Sequence, residues 1–384
     1  MEGVQHRLRL SADHDVRPSR HTKADNQPKK HPNRDRSRHS YSLTEFGFDA
    51  IIHRMTTVAG IGEEFRPDER RKAGLPADVV KRLTRLDPLK STMGVLETVG
   101  LIALSLAAAL YWWTPWAIIP AMIVIAGRQQ ACFVLAHDAA HYRLYKSRWL
   151  NDLVGRMLAA PVGLSMRTYR VLHRLHHNHL YEERDPDIPL VAGYPRGRKY
   201  LAKKLIADLF GLNAWKTYAY FFGAPAINDD AQGANRPLDD TSPDLRRAAR
   251  QDRWTVVAFH IGAPVTALAT GYIVEYLLLW LVPMVTIQQP LLRYRAICEH
   301  GVVQDHSTPL SASRTNFAPW WLHWWMFPHK VNYHIEHHLY PSIPFYNLPE
   351  CHREMQSRGL LDDAEVRSLA ETHAMIAVDP PKAA

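Results

Sequence analysis

The sequence predicts an all-α integral membrane fold: about four transmembrane helices in two hairpins, with a cytoplasmic helical cap that carries its histidine clusters. Three observations predict it. Two long stretches lack Lys and Arg, and each is interrupted near its middle by a turn. The basic residues are confined to the segments around those stretches. Histidines gather in three short clusters just outside them. Bulk composition alone suggests otherwise, with a mean hydropathy of −0.28. That average hides apolar hairpins behind a large polar remainder. Three cysteines and no C-x-x-C pair, among 384 residues, exclude a disulfide scaffold and a thiolate metal site.

In chain order, residues 1–54 read as a disordered, basic, His-rich tail. The first 42 hold ten Lys or Arg against five acids and almost no large apolar residue. Their histidines (His6, His14, His21, His31, His39) show no ligand spacing. Met55 offers an alternative start. Residues 55–90 form a cytoplasmic pre-membrane segment, helical over 62–90 and ending near Asp87-Pro88. The membrane domain is expected over 91–350. Val95–Trp113 is a 19-residue apolar run, Thr114-Pro115 breaks it and Trp116–Gly127 resumes it, enough for a hairpin of about 20 residues per span. Arg128, Gln129 and Gln130 interrupt the second span before Cys132–Ala136, and Arg128 is expected to snorkel toward water. Leu150–Leu164 and Leu201–Phe222 are expected as surface amphipathic helices, and Asn228–Arg253 as a charged loop. Trp254–Leu292 is again free of Lys and Arg and splits at Gly271–Tyr276 into a second hairpin. Residues 351–384 form a C-terminal cytoplasmic tail.

Neither outer turn, Tyr111–Trp116 or Gly271–Tyr276, contains Lys or Arg. By the positive-inside rule both termini and the central loop face the cytoplasm, in an inner membrane if the cell is bacterial. The net charge of +9 is therefore read as tail plus membrane sidedness, and no nucleic-acid partner is expected.

The clusters are His137-Asp138-Ala-Ala-His141, His173-Arg-Leu-His176-His177 and His334-Ile-Glu336-His337-His338. Spacings of three and four residues put imidazoles on one helix face. Eight histidines in three such boxes suit two metal ions, and an all-imidazole donor set favours a transition metal such as Fe, Zn or Cu. The zinc-protease motif H-E-x-x-H is absent. Asp138, Asp185, Asp187, Glu299, Glu336 and Asn332 are candidates to orient the ligand rings. His179 should point off the ligand face. His323 and His329 could line the site or merely pack, His260 reads as a polar residue inside a span, and His306, His352 and His373 read as surface residues.

The strings "HDAAH", "HRLHH" and "NYHIEHHLYP" resemble the membrane fatty acid desaturase/hydroxylase family over roughly residues 90–350. That resemblance implies four spans under a cytoplasmic cap holding a non-haem di-iron centre. It also implies a further ligand at the inner end of the fourth span, where His300 fits. The implied ligands of the two Fe ions are His137, His141, His173, His176, His177, His300, His334, His337 and His338. The implied chemistry is O2-dependent desaturation of an acyl chain. Hydroxylation, or desaturation of a small metabolite such as an amino-acid toxin of the dihydrorhizobitoxine type, stays open. No dinucleotide loop, C-x-x-C cluster or haem motif accompanies the boxes, so a separate ferredoxin or cytochrome donor is expected, drawn to the basic cytoplasmic face. A metal transporter or sensor is the rival from another class. It would place ionisable groups inside the spans, where only His260 and Glu275 lie. A two-zinc membrane hydrolase, needing no reductant, is a second rival.

Overall fold

The computed structural model describes residues 74–379, apart from 183–184, 192, 224–242 and 304. The expected tail, and the pre-membrane segment up to residue 73, lie outside the described residues. Within the rest of that segment α1 (Ala77–Leu83) is short. Asp87-Pro88 opens the first span and does not close a preceding helix. The Asp87 carboxylate accepts from the backbone N–H groups of Leu89 and Lys90 at 3.0 and 3.3 Å, and Pro88 occupies a first-turn position that needs no donor.

From this cap α2 runs over Pro88–Trp112. Trp113 turns the chain in the left-handed region (φ 36°), and Pro115 starts α3 (Pro115–Ala140). These two helices pack as the expected hairpin. α2 turns Leu89, Met93, Leu96, Leu104 and Leu110 outward, an apolar surface suited to lipid. The second expected hairpin is α8 (Pro243–Ala269) and α9 (Ile273–His300), joined at Gly271 (φ 81°). Three described helices are long and apolar enough to cross a membrane: α2, α3 and α9. α8 is not among them. Its first turns carry Arg246, Arg247, Arg250 and Arg253, so residues 243–253, expected as loop, are helical. Its apolar part, Trp254–Ala269, spans only about 24 Å at 1.5 Å per residue.

α9 is irregular. A π turn occupies Leu277–Leu281, and the helix is interrupted again at Thr286 (φ −119°, ψ −84°). The Met284 carbonyl freed there accepts from Tyr218 Oη at 2.9 Å and Gln289 Nε2 at 2.8 Å, as backbone away from water requires.

Between the hairpins lie α4 (Arg148–Ala159), which ends sooner than expected in a 3-10 turn and Gly163 (φ 76°), and α5 (Met166–Asn178). The single helix expected over 201–222 is two, α6 (Arg198–Leu209) and α7 (Ala214–Gly223). Gly211 breaks them at φ 73°, and a Cβ there would lie 2.9 Å from the Val285 carbonyl. Buried Asp208 anchors the corner by pairing with Arg293 of α9 and accepting from Asn213 Nδ2 at 2.8 Å.

After α9 come β1 (Thr315–Phe317), α10 (Trp320–Met326), α11 (His334–Leu339), α12 (Leu348–Gln356), β2 (Val366–Ser368) and α13 (Leu369–Ile376). β1 and β2 pair in parallel, Thr315 opposite Val366. This short ladder departs from an all-α fold.

One expectation about the first hairpin needs correction. Arg128 does not snorkel: it is 1% exposed, bonded to Glu97 Oε1 at 3.2 Å and the Trp324 carbonyl, with its guanidinium 4.1 Å from the Trp324 ring centroid. The aromatic residues 320–327 pack on the same hairpin. α10 lies against α3: Trp325 Nε1 donates to the Ile123 carbonyl at 2.9 Å, and its indole fills the notch left by Gly127. Ile123 is 14 residues before His137, about 21 Å along the helix. A desolvated arginine needs its donors met: Glu97 and the Trp324 carbonyl of α10 take the two terminal nitrogens, while Nε has no partner among the described residues.

Candidate metal centre

Each histidine box sits where local structure aims it. His137 is in the last turn of α3 and His141 is its C-cap. His173, His176 and His177 lie along α5, His300 ends α9, and His334, His337 and His338 lie along α11. The structure sorts the nine into two groups, His137, His141, His173, His177 and His337, and His176, His300, His334 and His338. Within each group the available ligand nitrogens all lie within 4.8 Å of one another.

In the first group His137 and His177 Nε2 are each 2.9 Å from His337 Nε2, and His177 Nε2 is 3.0 Å from His173 Nε2. In the second, His300 Nε2 is 2.7 Å from His334 Nε2 and 3.2 Å from His176 Nε2, and His338 Nε2 is 3.1 Å from His334 Nε2. Metal–imidazole bonds of about 2.1 Å put adjacent ligand nitrogens about 3.0–3.4 Å apart. Nitrogens that converge at this spacing suit a shared cation. His141 Nε2 and His334 Nδ1 are buried without a hydrogen-bond partner among the described residues. The donor chemistry and the lone His141 nitrogen fit transition-metal ions. The second and third boxes are shared, for α5 and α11 each contribute to both groups.

Four of the six expected ring-orienting partners lie near a ligand ring. His137 Nδ1 is 3.2 Å from Asp138 Oδ1, and the other Asp138 oxygen accepts from the Phe345 N–H at 3.0 Å. His176 Nδ1 is 2.9 Å from Asp185 Oδ1 and 3.7 Å from Asp187 Oδ2. Glu299 reaches only 4.0 Å from His334 Nε2. Glu336 turns away from the group, bonding His352 Nδ1 at 2.5 Å and Thr315 Oγ1 at 2.7 Å. Asn332 offers its backbone carbonyl to the Asn316 N–H at 3.1 Å. His352 is therefore buried, not a surface residue. His179 faces Glu182 at 2.7 Å, His260 faces the Ala160 carbonyl at 3.1 Å, and His323 accepts from the Ala318 N–H at 2.9 Å. His329 packs against α2, with Nε2 2.8 Å from Thr98 Oγ1. His306 and His373 are exposed, as expected.

The sequence model of the family described as fatty acid desaturase matches residues 111–367, which include all nine histidines. The chain belongs to the fatty acid desaturase family. The desaturase is accordingly an oxidoreductase, which leaves the metal-carrier and hydrolase readings without support. It is similar to a dihydrorhizobitoxine desaturase of Bradyrhizobium elkanii, 27% identical over 299 residues, covering 73% of this chain and 80% of the relative. It is equally similar to an sn-1 oleoyl-lipid 12-desaturase of Synechocystis sp., 27% identical over 299 residues, covering 70% and 76%. An sn-2 acyl-lipid omega-3 desaturase (ferredoxin) of Helianthus annuus is 27% identical over 311 residues, covering 74% and 66%.

Electrostatics keep the desaturase's imidazoles available as donors. Burial, reinforced by neighbouring rings, holds His141, His173, His177, His334, His337 and His338 well below the usual imidazole value. His176 differs: burial opposes its charging, but Asp185 and Asp187 outweigh it and lift the ring to about 9. A carboxylate on Nδ1 makes the opposite nitrogen the more basic ligand.

Two buried arginines escaped the sequence reading. Arg170 donates to the Ala139 and Ala140 carbonyls at 3.2 and 3.0 Å, closing the end of α3 beside His137 and His141. Arg314 donates to the carbonyls of Cys298, Gly301 and Val302 at 3.1, 2.9 and 3.2 Å, closing the end of α9 beside His300. Both helix termini thus have their orphan carbonyls met by a cation, the favourable sign for a C-terminus. Arg170 lies three residues before His173, but nothing in the sequence around Arg314 points to its role.

Proposed function

We propose that this desaturase is a di-iron enzyme that introduces a C=C bond into an acyl chain. His137, His141, His173, His177 and His337 would hold one iron, and His176, His300, His334 and His338 the other. The observation that carries this reading is the pair of buried imidazole sets, five and four strong, at the ends of the long apolar helices. Bound there, the irons supply the reduction of O2 and the removal of hydrogen from unactivated C–H bonds. The balance is R–CH2–CH2–R′ + O2 + 2 e− + 2 H+ giving R–CH=CH–R′ + 2 H2O.

The protein's part is orientation and exclusion of water. Asp185 fixes the His176 ring through Nδ1, and Asp138 does the same for His137. Tyr169 stacks on His173 with centroids 5.2 Å apart and planes 12° apart, which fixes that ring and shields it. Two of the relatives are named for acyl-lipid substrates and one for ferredoxin. They support an acyl substrate and a separate ferredoxin- or cytochrome-type electron donor. The Lys- and Arg-free turns support four spans, with α8 as the third, and a cytoplasmic side for both termini and the metal sites. The name of the Bradyrhizobium relative favours a second reading, a small amino-acid-derived substrate.

The test is expression in a host followed by mass spectrometry of lipids and polar metabolites. A product lighter by two hydrogens, about two irons per purified chain and loss of both iron and product in His176→Ala are expected. A product heavier by one oxygen would replace desaturation with hydroxylation, and a fully active His176→Ala would overturn the site.

A further inference from the structure

Gln130 of α3 and Gln288 of α9 are both fully buried. The amide nitrogen and the amide oxygen of each have no hydrogen-bond partner among the described residues. Their sequence neighbours behave differently. Gln129 donates to the Trp280 carbonyl at 2.9 Å, although its amide oxygen has no partner among the described residues, and Gln289 donates to the Met284 carbonyl and to Tyr218 Oη at 2.8 and 3.1 Å. Gln129 and Gln289 thus repair irregular backbone in α9, while Gln130 and Gln288 do not. An unpartnered buried amide is costly, and polar side chains inside spans mark function by default.

Helix periodicity brings the two to one place. Phe133 and Val134 follow Gln130 by three and four residues, and Leu291 and Leu292 follow Gln288 by the same intervals. Val134 and Leu291 pack in one apolar cluster, and Phe133 and Leu292 in another. Gln130 and Gln288 therefore lie one turn below this shared contact between α3 and α9, at matching depth. His137 follows Gln130 by seven residues, two helical turns on the same face, so the amides sit about 10 Å below the level of the metal ligands.

We propose that Gln130 and Gln288 form a polar subsite for the substrate. The substrate is then not a plain methylene chain. It carries a neutral hydrogen-bonding group, a hydroxyl, ether or amide, about 10 Å along the chain from the carbons that are dehydrogenated. Two primary amides offer both donors and acceptors without charge, which suits such a group. This inference rests on the desaturase reading of the metal centre and narrows the substrate it takes.

The test uses the iron-loaded enzyme in nanodiscs, wild type and Gln130→Leu/Gln288→Leu. The probes are the unsubstituted octadecanoyl chain, its hydroxyl positional isomers, and an amino acid with an ether-linked side chain beside its all-carbon isostere. At least one oxygen-bearing probe should bind about tenfold more tightly than its plain counterpart. The double variant should lose that preference while keeping its iron. Its melting temperature in the absence of ligand should equal or exceed the wild type's, because isosteric apolar replacement of unpaired amides is neutral or stabilising. A plain probe that binds as well as every oxygen-bearing one overturns the proposal. So does a preference that survives in the variant, a fall in its melting temperature, or binding of no probe. If only the amino-acid ether binds, the subsite stands and the acyl-chain reading falls.

Discussion

Replacing Arg314 by Met should empty one metal site and spare the other. Arg314 is fully buried, and its guanidinium donates to three carbonyls at the end of α9 and to Glu365 Oε2 at 3.3 Å. Hydrogen bonds involving a charged group contribute about 1.5–3 kcal/mol each, so loss of the three carbonyl bonds removes roughly 4–9 kcal/mol of local order before relaxation. Met keeps much of the apolar stem volume, and Glu365 retains Arg367 at 2.7 Å, which limits the damage elsewhere. The freed segment carries His300, whose Nδ1 is 3.2 Å from the Ala312 carbonyl in the same clamp. Loss of an orienting contact typically lowers metal affinity about 10–100-fold. After a mild chelator wash, iron by plasma mass spectrometry should fall from about two to about one per chain, and turnover should collapse. Arg314→Lys, with fewer donors in a different geometry, should fall between. A washed Arg314→Met enzyme with two irons and unchanged turnover would refute the claim that this residue sets His300.

Gly127→Val should lower the melting temperature in detergent by an amount equivalent to about 1–3 kcal/mol, because a Cβ there falls inside the Trp325 indole; an unchanged melting temperature would mean α10 is not seated on α3. Metal-free enzyme should lose stability in acid. Seven ligand imidazoles, His300 among them, are held below their unfolded value near 6.5, so the unfolded chain binds protons that the folded chain refuses. Stability present above pH 6.5 falls as pH drops, by up to about 1.4 kcal/mol per group and pH unit. His176, raised to about 9, opposes this by adding stability as pH falls, but it is one group against seven. Melting of chelated protein at pH 7.5 and 5.5 reads this out, and a flat or rising profile contradicts it. A chain starting at Met55 should retain wild-type product yield in expressing cells, and loss of product would give the first 54 residues a role that their composition does not suggest.

The metal centre was legible because ligand spacing is local. His173, His176 and His177 announce a helix face from their numbers alone, and the Lys-free stretches announce α2, α3 and α9 in the same way. The contributions of Arg128, Arg170 and Arg314 were not legible. A buried arginine has no periodic signature, and its partners here are carbonyls between 12 and 196 residues away. The position of α10 was not legible for the same reason, since its polar flanks describe its neighbours in sequence and the notch at Gly127 is visible only in three dimensions. His352 was assigned to the surface because nothing in its surroundings in the sequence hints that Glu336 turns toward it.

The interleaving of the boxes also fixes when in biosynthesis the centre can close. A nascent chain that ends before His334 owns four residues of one imidazole group (His137, His141, His173, His177) and two of the other (His176, His300). Neither group can be completed first, because α11 supplies the missing members of both. Completion of either metal group therefore belongs to the final stage of synthesis, when α11 has left the ribosome. A ribosome stalled upstream of α11 releases a product that already carries the long apolar helices but has one group short of a single imidazole and the other short of two.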